Sequence, residues 1–171
     1  MLHPGGDVSA PLGSLYLEDI IHTLIPYVET HYRCLKGPKH TAMVGSSLGG
    51  LFSLYAGMFH PEIFGLVAAF SPSIWMDEEP LYRLSKTHYL EEPARYQQQE
   101  LYFYIGEKEN RKTSNRQMWA DLELYHQYVK ATYSGSSQLH THPEGKHSAL
   151  YWQQAFEVFY QYWQQRDFST L

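Results

Sequence analysis

Gly45-Ser46-Ser47-Leu48-Gly49 stands between a short strand candidate, His40-Thr41-Ala42-Met43-Val44, and a run with helical period, Leu51, Leu54, Tyr55 and Met58. No other feature of the chain constrains its fold as much. A strand that enters a helix through a G-x-S-x-G turn holds its serine in a strained backbone conformation, raised above the carboxyl end of a sheet. Glycines two before and two after Ser47 are expected because a side chain at either place would collide with the neighbouring strand or helix. The helix dipole and the Leu48 backbone N–H then face any oxyanion formed at Ser47. Ser46 lacks glycines at both of those spacings, and the absence of a Lys-Ser or Lys-Thr pair disfavours a phosphate-cradling loop.

The rest of the chain extends this pattern. Residues 1–13 are rich in Gly and Pro and read as an irregular lead-in, with Ser14 as a helix N-cap. Leu17, Ile20, Ile21, Leu24, Ile25, Val28 and Tyr32 then recur at helical spacing, and Pro26 should kink or divide that helix. Phe64 to Phe70 is almost continuously apolar, as in a strand buried on both faces of a parallel sheet. Residues 76–100 are polar, contain Pro80 and Pro93, and read as loops and short helices. Leu101 to Ile105 is a third strand, Met118 to Val129 a helix, and Gln138 to Thr141 a weak fourth strand. The aromatic stripe Tyr151, Trp152, Ala155, Phe156, Phe159, Tyr160 and Trp163 suits a last helix docked on the sheet. Strands alternating with helices predict an α/β fold with a mostly parallel sheet and a functional end at the carboxyl ends of the strands.

Composition narrows the function. The 171 residues correspond to one domain, and 13 Lys and Arg against 18 Asp and Glu leave a charge of −5. That balance disfavours a binder of nucleic-acid backbone. No apolar run is long enough to span a bilayer, and no export signal is visible, so a cytoplasmic protein without a membrane anchor is expected. Cys34 is the single cysteine, which precludes an intrachain disulfide, and it reads as a small buried hydrophobe. No metal or cofactor is implied.

A serine needs a base to act as a nucleophile. For a serine in such a turn, the acid and then the histidine follow in the chain. The late histidines are His140, His142 and His147. His147, in the Pro143–Ser148 loop after the last strand, is best placed to swing over the sheet, whereas His140 and His142 share one face of a strand. The acid is expected beyond the strand ending at Ile105. Glu109 is favoured there, with Glu107 as the alternative and Asp77, after the preceding strand, as a third candidate.

The segments Gly45–Leu51, Tyr55-Ala56-Gly57, His60–Gly65 and Phe70-Ser71-Pro72-Ser73-Ile74-Trp75 resemble the putative esterase family of the α/β-hydrolase superfamily. That family includes esterase D, enterochelin-type siderophore esterases, feruloyl esterases and the antigen 85 mycolyltransferases. Ile25–Glu29, Tyr104–Glu109, Pro143–Ser148 and Tyr151-Trp152 extend the resemblance over about residues 15–165. It implies a serine carboxylic-ester hydrolase acting on a small-molecule ester. Ser47 would be the nucleophile, His147 the base, Glu109 the acid, the Leu48 N–H an oxyanion donor, and Trp75 a substrate contact. An acyltransferase using the same groups, or an inactive relative serving as a ligand-binding or interaction domain, are the alternatives. The resemblance further implies strands ahead of the helix at Ser14, one of them followed by a loop giving a second oxyanion N–H. The chain is therefore expected to be the C-terminal two thirds of such a domain, with an uncovered sheet edge through which copies could associate.

Overall fold

The computed structural model describes residues 12–110 and 117–166. Four strands, β1 (Ala42–Ser46), β2 (Leu66–Phe70), β3 (Glu100–Gly106) and β4 (Ser136–His142), form a wholly parallel sheet in the order β1-β2-β3-β4. The helices are α1 (Leu12–Asp19), α2 (Ile25–His31), α3 (Leu48–Phe59), α4 (Glu78–Glu91), α5 (Met118–Thr132) and α6 (Ala149–Gln164).

Strand alternation divides the core. Val67, Ala69, Leu101, Phe103 and Ile105 point to one face, where they pack with Leu51, Leu54, Tyr55 and Met58 of α3, Leu81 of α4, and Leu122, Tyr125 and Val129 of α5. Leu66, Ala68, Phe70, Tyr102 and Tyr104 point to the other, against Ala155 and Phe159 of α6. Burial on both sides explains why β2 carries no polar residue. The stripe on α6 is only partly used in docking: Ala155 and Phe159 are buried, but Phe156 and Tyr160 are exposed.

Local chemistry follows the expectation at Pro26 and departs from the expectations at three other places. Pro26 lacks an N–H, and the chain just before it widens into a π turn, Ile20–Leu24, that separates α1 from α2. Ser14 lies inside α1 and is not its cap, because that helix already includes Leu12. The segment read as loops and short helices holds the 14-residue α4. Pro80 is its third residue, where a missing N–H costs no intrahelical bond, and Leu81, Ser85 and Tyr89 bury one stripe of it. Cys34 is exposed and is not a core residue.

Candidate active site

Each strand delivers one piece of the site at its carboxyl end. β1 leads into Ser47, β2 into Ser71 and Ser73, β3 into Glu109, and β4 into His147. At Ser47 the backbone has φ 57° and ψ −120°, a conformation that is rare for a residue with a side chain. The turn is pinned on both sides: the Ser47 N–H donates to the Phe70 carbonyl at 2.9 Å, and the Ser47 carbonyl accepts from the Ser73 N–H at 3.0 Å. Among the described residues, a Cβ would collide at one flank only. A Cβ on Gly45 would lie 2.2 Å from the Gly49 carbonyl oxygen, whereas one on Gly49 would meet nothing within 4 Å among the described residues. The collision expected at position 49 is thus not met among the described residues.

Ser47 Oγ lies 2.9 Å from His147 Nε2, and His147 Nδ1 lies 2.7 Å from Glu109 Oε2. Glu109 is buried, while the imidazole stays partly open to solvent. Of the three carboxylates named as acid, Glu109 is the one in contact with His147. Glu107 accepts a hydrogen bond from Thr141 Oγ1 at 2.8 Å, and Asp77 accepts from the Tyr55 hydroxyl at 2.5 Å. Burial, with Asp77 adding to it, pushes the Tyr55 phenol up, so that group stays a proton donor. The phenol of Tyr104 is pushed up to about 12 by burial, with the nearby charge of Glu109 contributing.

Two loops fix the Glu109–His147 pair. Gly106 and Gly145 are packed so closely that a Cβ on Gly106 would lie 2.2 Å from the Gly145 carbonyl carbon. The Glu107 N–H donates to the His142 carbonyl at 3.0 Å and the Lys108 N–H to the Gly145 carbonyl at 3.0 Å. Lys108 also forms an ion pair with Glu144 across the same loops. His142 accepts from the Glu144 N–H, and His140 stacks on Tyr102 with centroids 4.6 Å apart, so both serve the strand and its turn. Among the described residues, no group of three His, Cys, Asp or Glu side chains converges as a metal site.

Leu48 opens α3, whose first-turn N–H groups have no partner within the helix and point toward the Ser47 side. Trp75 lies in the turn Ile74–Met76 just past Ser73 and is 40% exposed. Three site neighbours were not singled out from sequence. Ser73 Oγ is 3.3 Å from Ser47 Oγ, Ser71 Oγ donates to Glu109 Oε1 at 2.6 Å, and Trp152 Nε1–H donates to Ser71 Oγ at 3.0 Å. The signal for the serines was Ser-Pro-Ser at the end of an apolar strand. Trp152 was hidden in the aromatic stripe.

A parallel sheet covered by helices on both faces is the fold shared with a ferulic acid esterase and with a fluorophosphonate-binding serine hydrolase of Staphylococcus aureus. Residues 9–160 match the family described as Putative esterase, and the chain belongs to that family. It is 37% identical over 68 residues to the iron(III) salmochelin esterase of Escherichia coli O6:H1, a stretch covering 39% of this chain and 17% of that protein. It is 36% identical over 66 residues to the uncharacterized protein YbbA of Bacillus subtilis, covering 39% of this chain and 26% of that one. Among solved structures, the siderophore hydrolase EstA of Aspergillus nidulans superposes with a TM-score of 0.69 at 18% identity, covering 97% of this chain and 63% of the other. The chain thus spans under two thirds of the length of each of these proteins.

Proposed function

We propose that the chain hydrolyses a small-molecule carboxylic ester through an acyl-enzyme on Ser47. The observation that carries this reading is the continuous line Ser47 Oγ–His147 Nε2 at 2.9 Å and His147 Nδ1–Glu109 Oε2 at 2.7 Å. As Ser47 Oγ attacks the ester carbonyl carbon, its proton passes to His147 Nε2. Glu109 holds the imidazole in the tautomer with Nδ1 protonated and offsets the charge that forms. The negative carbonyl oxygen develops toward the Leu48 N–H at the start of α3. His147 then gives its proton to the departing alkoxide. A water, deprotonated by the same nitrogen, attacks the acyl-serine, releases the acid and restores Ser47. Trp75, exposed beside the Ser71–Ser73 turn, is the proposed substrate contact. The kinship with a siderophore esterase supports a small-molecule ester over a macromolecular one.

A fluorophosphonate probe tests this directly. Ser47 should be labelled in the intact protein, and Ser47→Ala should abolish both labelling and turnover of p-nitrophenyl acetate. Turnover that survives Ser47→Ala rules the reading out. Stabilisation by an ester ligand without any acyl-enzyme would favour a non-catalytic binding domain, and acyl transfer to an added alcohol in preference to water would favour an acyltransferase. Among the described residues β1 pairs on one edge only. We infer that a second copy pairs along its free edge, whose unpaired N–H and C=O groups can template a further strand. Light scattering that reads a monomer at every concentration would remove that inference.

A further inference from the structure

The oxygen of Glu109 that faces away from His147 is held as firmly as the one that faces it. Glu109 Oε1 accepts from Ser71 Oγ at 2.6 Å and from the Gly106 N–H at 3.0 Å. Ser71 Oγ in turn accepts from Trp152 Nε1–H at 3.0 Å. The Trp152 ring also stands perpendicular to the His147 ring, with centroids 4.8 Å apart and planes at 89°. Trp152 therefore reaches the Ser47–His147–Glu109 line twice, once through Ser71 and once by direct packing on the imidazole.

Ser71 is held in an unfavourable shape to do this. It is fully buried, has φ 45°, and its N–H donates to the Tyr104 carbonyl at 2.6 Å. A positive φ on a residue with a side chain persists only where the surroundings over-determine it, and such strain gathers at functional sites. Here the strained backbone aims the hydroxyl between an indole N–H and a buried carboxylate. With Oε1 fixed by two donors, the carboxylate cannot rotate, and Oε2 is left facing Nδ1.

Resting on the esterase reading above, we propose that Ser71 and Trp152 are positioning residues for that line. Ser71 locks the rotamer of the Glu109 carboxylate. Trp152 orients Ser71 and sets the plane of the His147 ring. Their side-chain hydrogen bonds run to Glu109 and to each other, not to Ser47 or His147. The competing possibility is that Ser71 only satisfies a buried carboxylate and stabilises the fold. A structural role of that kind would lower the melting temperature and leave the chemistry untouched.

The test uses the full chain and three variants: Ser71→Ala, Ser71→Gly and Trp152→Phe. The readouts are kcat and KM on p-nitrophenyl acetate, the proton NMR signal of His147 Nδ1–H, and thermal unfolding. Ser71→Ala should lower kcat roughly tenfold, the effect of one lost hydrogen bond. KM should stay within about twofold, and the Nδ1–H signal should move upfield as its hydrogen bond to Oε2 loosens. Ser71→Gly relieves the backbone strain but also lacks the hydroxyl, so it should show the same loss. Wild-type kcat in Ser71→Gly would overturn the role of the hydroxyl. Trp152→Phe keeps an aromatic ring against His147 and removes the N–H. It should lower kcat several-fold and move the Nδ1–H signal in the same direction. If Ser71→Ala does not fold, Trp152→Phe decides. Lowered stability with unchanged kcat and an unmoved Nδ1–H signal overturns the proposal, as does a raised KM with kcat unchanged. If the unsubstituted protein turns over no ester, it is the esterase reading that fails. The Nδ1–H signal still judges the positioning, and an unmoved signal in Ser71→Ala would refute it.

Discussion

Replacing Gly45 by Ala should do far more harm than the same change at Gly49, although both glycines belong to one motif. The added Cβ at position 45 would sit 2.2 Å from the Gly49 carbonyl oxygen, 2.4 Å from the Gly49 carbonyl carbon and 2.8 Å from Ser53 Oγ. Ordinary contact begins near 3.4 Å, and the two nearest atoms are backbone, so the first turn of α3 must move by roughly 1 Å. Overpacking of this kind typically costs about 1–3 kcal/mol. In a domain of this size that corresponds to a melting temperature lower by roughly 2–4 °C per kcal/mol. The same turn presents Ser47 Oγ to His147 Nε2 at 2.9 Å. A 1 Å displacement of a reacting group can cost about 10²-fold in rate. Gly45→Ala should therefore label with a fluorophosphonate about a hundredfold more slowly. Gly49→Ala places its Cβ in open space, within a helix and at negative φ. It should label at the wild-type rate and gain about 0.4–1 kcal/mol of stability. Labelling rate and thermal melting, measured side by side, decide the matter. A Gly45→Ala protein that melts and labels like wild type would refute the steric argument. Equal losses in both variants would show that α3 packs against something at Gly49 that the described residues do not include.

Three further outcomes follow from the same geometry. Glu109→Gln can still accept from Ser71 and Gly106, but its amide N–H groups would favour the tautomer with Nδ1 unprotonated. Turnover should drop by roughly 10⁴ with little change in melting, whereas Glu107→Gln, whose partner is Thr141, should stay within about twofold; equal effects would argue against Glu109 as the acid. Tyr55→Phe removes the hydrogen bond to Asp77 and should lower stability by about 1 kcal/mol without slowing Ser47 labelling. Burial holds His88, His126 and His140 below their ordinary value of 6.5. Below that pH the unfolded chain binds protons that the folded chain does not, so the melting temperature should fall between pH 7 and pH 5. A melting temperature that stays level or rises would contradict it.

Much of the architecture was legible in the chain. β2 could be read because a strand buried on both faces must be apolar throughout, and Ser47 because the turn that raises it leaves no room for a Cβ at Gly45. α4 was missed because Pro80 reads as a breaker, and only its position in the first turn makes it harmless. The boundaries of β1 and β4 shifted by one or two residues because pairing, not composition, ends a strand. The segment 111–116 lies outside the described residues, as do most of the lead-in residues.

The sequence by itself determined the strand-to-helix order, the serine in its turn and the histidine after the last strand. Those depend on periodicity and on steric rules that act within a few residues. Tertiary structure alone decided that Glu109, and not Glu107 or Asp77, meets His147. It also decided that Ser71 and Trp152, 81 positions apart, share one hydrogen bond behind it. A carboxylate's partner depends on where separate loops converge in space, here through the backbone contact of Gly106 with Gly145. No local pattern in a chain encodes that distance.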